Sequence, residues 1–126
     1  MPASYQFTAH EHPGYVHAKV TGDRTPENAR RFFQETYMAC VKAGKENVLL
    51  EVRFSGPSLD VPSIFEVISK GTPDGMRMRK VAYVDATTED PSKARFAETV
   101  AKNRGVNVRL FSGVDEAARW LAEAQA

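Results

Sequence analysis

Val108-Arg-Leu-Phe-Ser-Gly-Val-Asp-Glu-Ala-Ala-Arg-Trp-Leu-Ala-Glu123 decides the fold class. Apolar residues at 106, 108 and 110 predict a short strand. Within a few residues the apolar period changes to that of a helix: Ser112 is expected at the N-cap with Asp115 three positions on, and Val114, Ala117, Ala118 and Leu121 share one face. A strand that runs straight into an amphipathic helix is half of a strand–helix–strand unit, and the remaining chain supplies more of them.

Moving toward the N-terminus, Lys80-Val-Ala-Tyr-Val-Asp85 predicts a strand. Asp90 and Pro91 then offer a cap and a first-turn proline for a helix with Phe96, Ala97, Val100 and Ala101 inward and Gly105 at its end. Asn47-Val-Leu-Leu-Glu-Val-Arg-Phe54 is nearly continuous in apolar and β-branched residues, as a central strand buried on both faces requires. It passes through the loop Ser55-Gly-Pro-Ser-Leu-Asp60 to a helix that Asp60 caps, with Val61, Ile64, Phe65 and Ile68 inward and Gly71 to Gly75 closing it. Thr25 and Pro26 start an earlier helix whose buried face carries Ala29, Phe32, Phe33, Tyr37, Cys40 and Val41, and Gly44 ends it. Before it, Tyr5 and Phe7 alternate with polar residues, His12-Pro-Gly14 turns the chain, and Tyr15 to Thr21 alternate again. The expected order is β-β-α-β-α-β-α-β-α: a single α/β domain over residues 1–126, mostly parallel, with an antiparallel N-terminal pair and four helices.

Composition narrows the function classes. The chain has 126 residues with 42% hydrophobic content, which fits one core. Seventeen basic residues against sixteen acidic leave a charge of +1, too weak a field to favour nucleic acid or an anionic membrane. No stretch reaches the ~20 apolar residues of a membrane span, and the N-terminus lacks the regions of a signal peptide. A single cysteine, Cys40, makes no internal disulfide and suits a reducing cytoplasm.

The order of elements, the strand Val48-Leu-Leu-Glu-Val52 and the ending Val108-Arg-Leu-Phe with Ala117-Ala-Arg-Trp-Leu121 together resemble the SpoIIAA-like family, related to the STAS (sulfate transporter and anti-sigma factor antagonist) fold. The resemblance spans almost the whole chain and rests on apolar patterns. It implies a small cytoplasmic α/β module whose fold relatives bind partner proteins or, in the CRAL-TRIO branch, apolar lipids. Phosphorylatable STAS switches carry Asp-Ser-Ser/Thr-Gly where the strand after the first helix meets the next helix. Here the stretch is Leu59-Asp-Val-Pro-Ser63, with Val61 at the position of the switch serine. Val61 has no hydroxyl, which argues against a phosphorylation switch; Ser58 and Ser63 are the nearby alternatives.

No catalytic motif is assembled. Cys40 reads as a small core side chain, and Asp60, Glu66 and Asp85 are carboxylates near loop ends, where capping and solvation account for Asp60 and Glu66. Gly71 and Gly75 flank a helix-to-strand connection and so make no phosphate cradle. His10, His12 and His17 with Glu11 are the most ligand-like cluster, since residues two apart on a strand share a face, but they form no closed zinc pattern. Lys70, Arg77, Arg79 and Lys80 form the densest basic patch, read as solvated charge at the strand entrance. Open α/β sheets bind ligands beyond the carboxyl ends of their strands, which selects the loops at 54–60 and 85–90, with Ser55, Ser58, Thr87 and Thr88.

The leading expectation is a non-enzymatic binding or regulatory module without cofactor or metal. It would present Ser55, Ser58, Asp60, Ser63, Ile64 and Phe65 to a protein partner or a second copy of itself. The alternative is a small carrier for a fatty acid or other apolar ligand, with the second helix lining a cavity and Arg77 or Arg79 meeting an anionic head group.

Overall fold

The computed structural model describes residues 4–57, 59–60, 62–64, 66–67, 79–85 and 91–123. Five strands, β1 (Tyr5–His12), β2 (Tyr15–Asp23), β3 (Asn47–Ser55), β4 (Lys80–Asp85) and β5 (Val108–Phe111), form one sheet in sequential order. β1 is antiparallel to β2 and every other pair is parallel. The expected α/β class, the central place of β3 and the antiparallel N-terminal edge are all observed.

Sequential order dictates how the layers are filled. Right-handed crossovers that always step to the next strand in one direction must all pass over the same face of the sheet. Accordingly α1 (Pro26–Ala43), the helical residues at 62–64 and 66–67, and α2 (Pro91–Asn103) join β2 to β3, β3 to β4 and β4 to β5. On the crossover side the main core collects Val16, Ala18 and Val20 of β2, Val48, Leu50, Val52 and Phe54 of β3, and Phe32 and Cys40 of α1. The last helix, α3 (Val114–Ala122), follows the final strand and is free to fold onto the opposite face. There Ala117 and Leu121 meet Leu49, Ala82 and Val84.

The helix boundaries follow local chemistry. Thr25 Oγ1 accepts from Asn28 N at 3.0 Å, Pro26 opens α1, and Gly44 closes it at φ 68°. Asp60 caps the next helical stretch as expected: its Oδ1 accepts from Ser63 N at 2.8 Å. Two expectations are corrected. The N-cap of α3 is Gly113, with no side-chain cap bond; Ser112 stands one residue too early to reach the orphan amides. Val41 is exposed beside Met38, because the inward position of that turn belongs to Cys40 and the next residue is rotated about 100° away.

Two polar ties fix the ends of the molecule. Ser4 O accepts from Asp23 N at 2.9 Å and from Asn28 Nδ2 at 3.0 Å, and Ser4 N donates to Asp23 Oδ2 at 3.0 Å. This closeness requires glycine at 22: φ is 126°, and a Cβ there would lie 2.2 Å from Ser4 O. At the other end Lys80 is buried. Its Nζ donates to Trp120 O at 2.8 Å and Glu123 O at 3.1 Å and lies over the Trp120 ring, placing a cation at the negative end of α3. Of the basic patch read from the sequence as solvated charge, Lys80 departs, being a buried helix cap, whereas Arg79 is exposed and pairs with Glu46 at 2.9 Å; Lys70 and Arg77 lie outside the described residues.

Candidate functional site

α1 packs on β1 and β2, and α2 packs on β5; among the described residues, the helix-facing side chains of β3 and β4 look into a gap bounded by these two helices and by residues 59, 64 and 67. A cavity of about 160 Å³ occupies that gap. Its floor is Val48, Leu50, Val52 and Phe54 of β3, with Val81 and Tyr83 of β4 and Val108 and Leu110 of β5. From Val48 to Phe54 it follows the strand for about 20 Å at ~3.3 Å per residue.

The helical sequences explain the space. On α1 the residues at 29, 32, 33, 36 and 37 recur with helical spacing and form one wall. On α2 the wall is made by Ala94, Ala97 and Ala101, where longer side chains would have reached across. Leu59, Ile64 and Val67, from the connection between β3 and β4, complete it.

The end of the cavity beyond the strand carboxyl termini is polar. Arg24, directly after β2, donates from Nη2 to Phe54 O at 3.0 Å and from Nη1 to Gly56 O at 3.3 Å, and its Nη2 lies 3.8 Å from Asp85 Oδ1. Tyr83 Oη donates to Asp85 Oδ2 at 3.5 Å. Burial, reinforced by the Asp85 charge and only partly offset by Arg24, raises the Tyr83 phenol above its usual range, so it stays a proton donor. Along the wall, Glu98 Oε2 accepts from Leu110 N at 3.0 Å. Midway, the Thr36 hydroxyl is buried without a hydrogen-bond partner among the described residues.

Cys40 is buried in the core, does not line the cavity, and desolvation pushes its thiol up to about 11, which keeps it from acting as a thiolate.

The residues singled out in the sequence separate into two groups. Ile64 lines the cavity. Ser55, exposed at the end of β3, donates through Oγ to Gly22 O at 3.2 Å, and Asp60 and Ser63 are engaged with each other in the cap. Hydrogen bonds from the Ser63 side chain and backbone hold the Asp60 carboxyl below its usual range. Ser58, Val61, Phe65, Thr87, Thr88 and Asp90 lie outside the described residues. Arg79, offered as a partner for an anionic head group, does not line the cavity; Arg24 and Lys93 do. Arg24 carries no signal in the sequence, because its role arises from the adjacency of β2, β3 and β4, which no local pattern records.

The histidines lie on the opposite face, over strands that α3 does not cover. His12 stacks on Tyr15 with ring centroids 4.7 Å apart, and the His12 and His17 centroids are 6.1 Å apart. His17 Nε2 is 2.8 Å from Glu51 Oε1, and Arg53 Nε donates to Glu51 Oε2. The expectation that β3 is buried on both faces holds from Val48 to Val52, with Glu51 the one charged member of that buried run. Burial opposes ionisation of Glu51, but hydrogen bonds from Arg53 and His17 outweigh it and hold the carboxyl below the usual range. A depressed carboxyl contributes stability that is complete above about pH 4.3 and is lost as pH falls through its lower folded value. Glu51→Gln is expected to be less stable than the parent at pH 6, with the difference shrinking by pH 3; urea unfolding at both pH values measures it.

No family model and no curated protein sequence matches the chain at a significant level. Solved structures do. An anti-sigma factor antagonist from Mycobacterium paratuberculosis superposes with a TM-score of 0.55 at 16% identity, covering 95% of this chain and 96% of that one. An uncharacterised DUF3478-family protein with a SpoIIAA-like fold from Shewanella loihica PV-4 gives a TM-score of 0.55 at 14% identity, covering 97% of each chain. With the observed strand order, these likenesses establish that the chain has the SpoIIAA/STAS-like fold that its sequence resembles.

Proposed function

We propose that this protein is a non-enzymatic STAS-like binding module that holds a small apolar molecule between its crossover helices and its central strands. The observation that carries the reading is the cavity. It has about 160 Å³ of space and an almost wholly apolar lining, comparable with the ~150 Å³ apolar cavity that is enough to admit benzene. Its lining reaches Arg24, Phe54 and Asp85 at the carboxyl ends of β2, β3 and β4, the end at which open α/β sheets take ligands. The volume suits a single ring or a short chain and is small for a long-chain fatty acid.

Toluene is the first probe. Saturating toluene is expected to raise the melting temperature and to shift amide resonances of β3, β4 and α2. Ala97→Phe, which fills the space from α2, is expected to remove both effects while the protein stays folded. Equal responses in the parent and in Ala97→Phe would overturn the reading.

A second reading has its own support in the likeness to an anti-sigma factor antagonist: a protein partner met on the loop 55–60 and the helical residues that follow. Pro62 is exposed at the start of that helix, where glutamate is compatible with the helix end. Pro62→Glu is expected to lower recovery of a co-purifying protein, and unchanged recovery would exclude this surface.

A further inference from the structure

The geometry points to an uncharged occupant of the cavity, ring-sized or short-chained, carrying one hydroxyl or carbonyl group that hydrogen-bonds to Thr36. This inference rests on the cavity reading above and adds to it the chemical class of the ligand.

Two independent observations select that class. The first is Thr36 itself. It stands on the cavity wall in the middle of α1, is only 5% exposed, and its Oγ1 has no partner among the described residues. Buried hydroxyls are normally satisfied, and threonine in a helix has an easy local acceptor in the carbonyl one turn back. A hydroxyl kept buried and unpaired beside an apolar space is arranged for a group that arrives with the ligand. Phe32, Phe33, Val48 and Leu50 line the same cavity, so the rest of the ligand must be hydrocarbon.

The second observation is charge balance. Among the described residues the charged lining of the cavity is Arg24 and Lys93 against Asp85 and Glu98, with Arg24 and Asp85 an ion pair and the Arg24 guanidinium also serving the carbonyls of Phe54 and Gly56. A carboxylate ligand at Arg24 would have to separate that pair or meet Asp85 across it, and at Lys93 it would add an unbalanced negative charge to a lining whose two cations already match two carboxylates, each at a cost in a partly dry site. A neutral ligand leaves the pair intact and uses Thr36 alone for orientation.

The test compares three probes of nearly equal size, toluene, benzyl alcohol and benzoate, titrated against the parent, Thr36→Val and Thr36→Ser by amide chemical shifts. Valine keeps the shape and removes the hydroxyl, and serine restores it. Thr36→Val is expected to weaken benzyl alcohol about fivefold, the worth of one hydrogen bond. Toluene should bind Thr36→Val at least as tightly as the parent, Thr36→Ser should recover the alcohol, and benzoate should bind none of the three. Ligand-free Thr36→Val should also melt about 3–5 °C higher, because an unsatisfied buried hydroxyl has been replaced by a methyl group.

The failures are distinguishable. If Thr36→Val changes toluene and benzyl alcohol alike, or benzoate binds best, the ligand class is wrong while the cavity reading stands. If neither toluene nor benzyl alcohol binds the parent, the cavity reading itself fails.

Discussion

Phe32→Ala is expected to cost about 3–4 kcal/mol of folding stability, measured by urea unfolding. Phe32 is among the largest fully buried side chains described. It makes edge-to-face contacts with Phe7 at 6.0 Å and Phe54 at 6.5 Å and a tilted contact with Phe33 at 6.0 Å, so one truncation strips an aromatic cluster joining β1, β3 and α1. Against the ~5–15 kcal/mol that holds a typical domain together, such a loss is severe. Phe32 also lines the cavity, which makes the substitution informative twice. The enlarged space is expected to accept naphthalene, which the parent excludes, and the bound ring should return part of the lost stability by mass action. A loss below about 1 kcal/mol would mean that the aromatic cluster is not the centre of the core.

Gly22→Ala is expected to cost about 3 kcal/mol, and the loss should be local. Two penalties coincide at Gly22: a positive φ, and backbone atoms of Ser4 and Tyr5 within 3 Å of the added methyl carbon. Neither flexible side chains nor solvent can yield there, so β1 must move off β2. Gly14 supplies the control, since its φ is 93° but nothing lies within 4 Å of a Cβ; Gly14→Ala carries only the conformational penalty of about 1 kcal/mol. Hydrogen exchange should show Gly22→Ala losing protection at the amides of β1 and β2 that pair with each other, while β3 and β4 stay protected. Uniform loss across all strands would refute the idea of a locally seated N-terminal strand.

The legible part of this protein is whatever depends on local period and capping. Thr25, Pro26 and Gly44 mark α1, Asp60 marks the next helical start, and the run from Asn47 to Phe54 marks the middle of the sheet; each is a short-range signal, and each is observed. The reading failed where a third dimension enters. Ala97 and Ala101 were recognised as inward-facing, but an alanine stripe tells only that a helix face is apolar, not that the opposite wall is too far away to fill the space. Arg24 and Asp85 are 61 positions apart in number, and only the parallel register of β2, β3 and β4 brings them to one end of the cavity. Lys80 looked like a surface charge because the carbonyls that surround it belong to the last helix, 40 and 43 positions later. Thr36 carried no signal at all, since a lone threonine within an amphipathic helix is unremarkable until its neighbours are known.

The ammonium of Lys80 ties the carbonyl end of the last helix to the first residue of β4. A helix of only nine residues would ordinarily fray at its ends, each turn opening independently of the sheet. Here opening the last turn takes the Trp120 and Glu123 carbonyls away from the buried Lys80 ammonium, so the helix is coupled to the strand and the two should release together. The C-terminal segment therefore behaves as part of the sheet's cooperative unit, and a cut before Trp120 would be felt at β4 before it was felt anywhere along the chain's own tail.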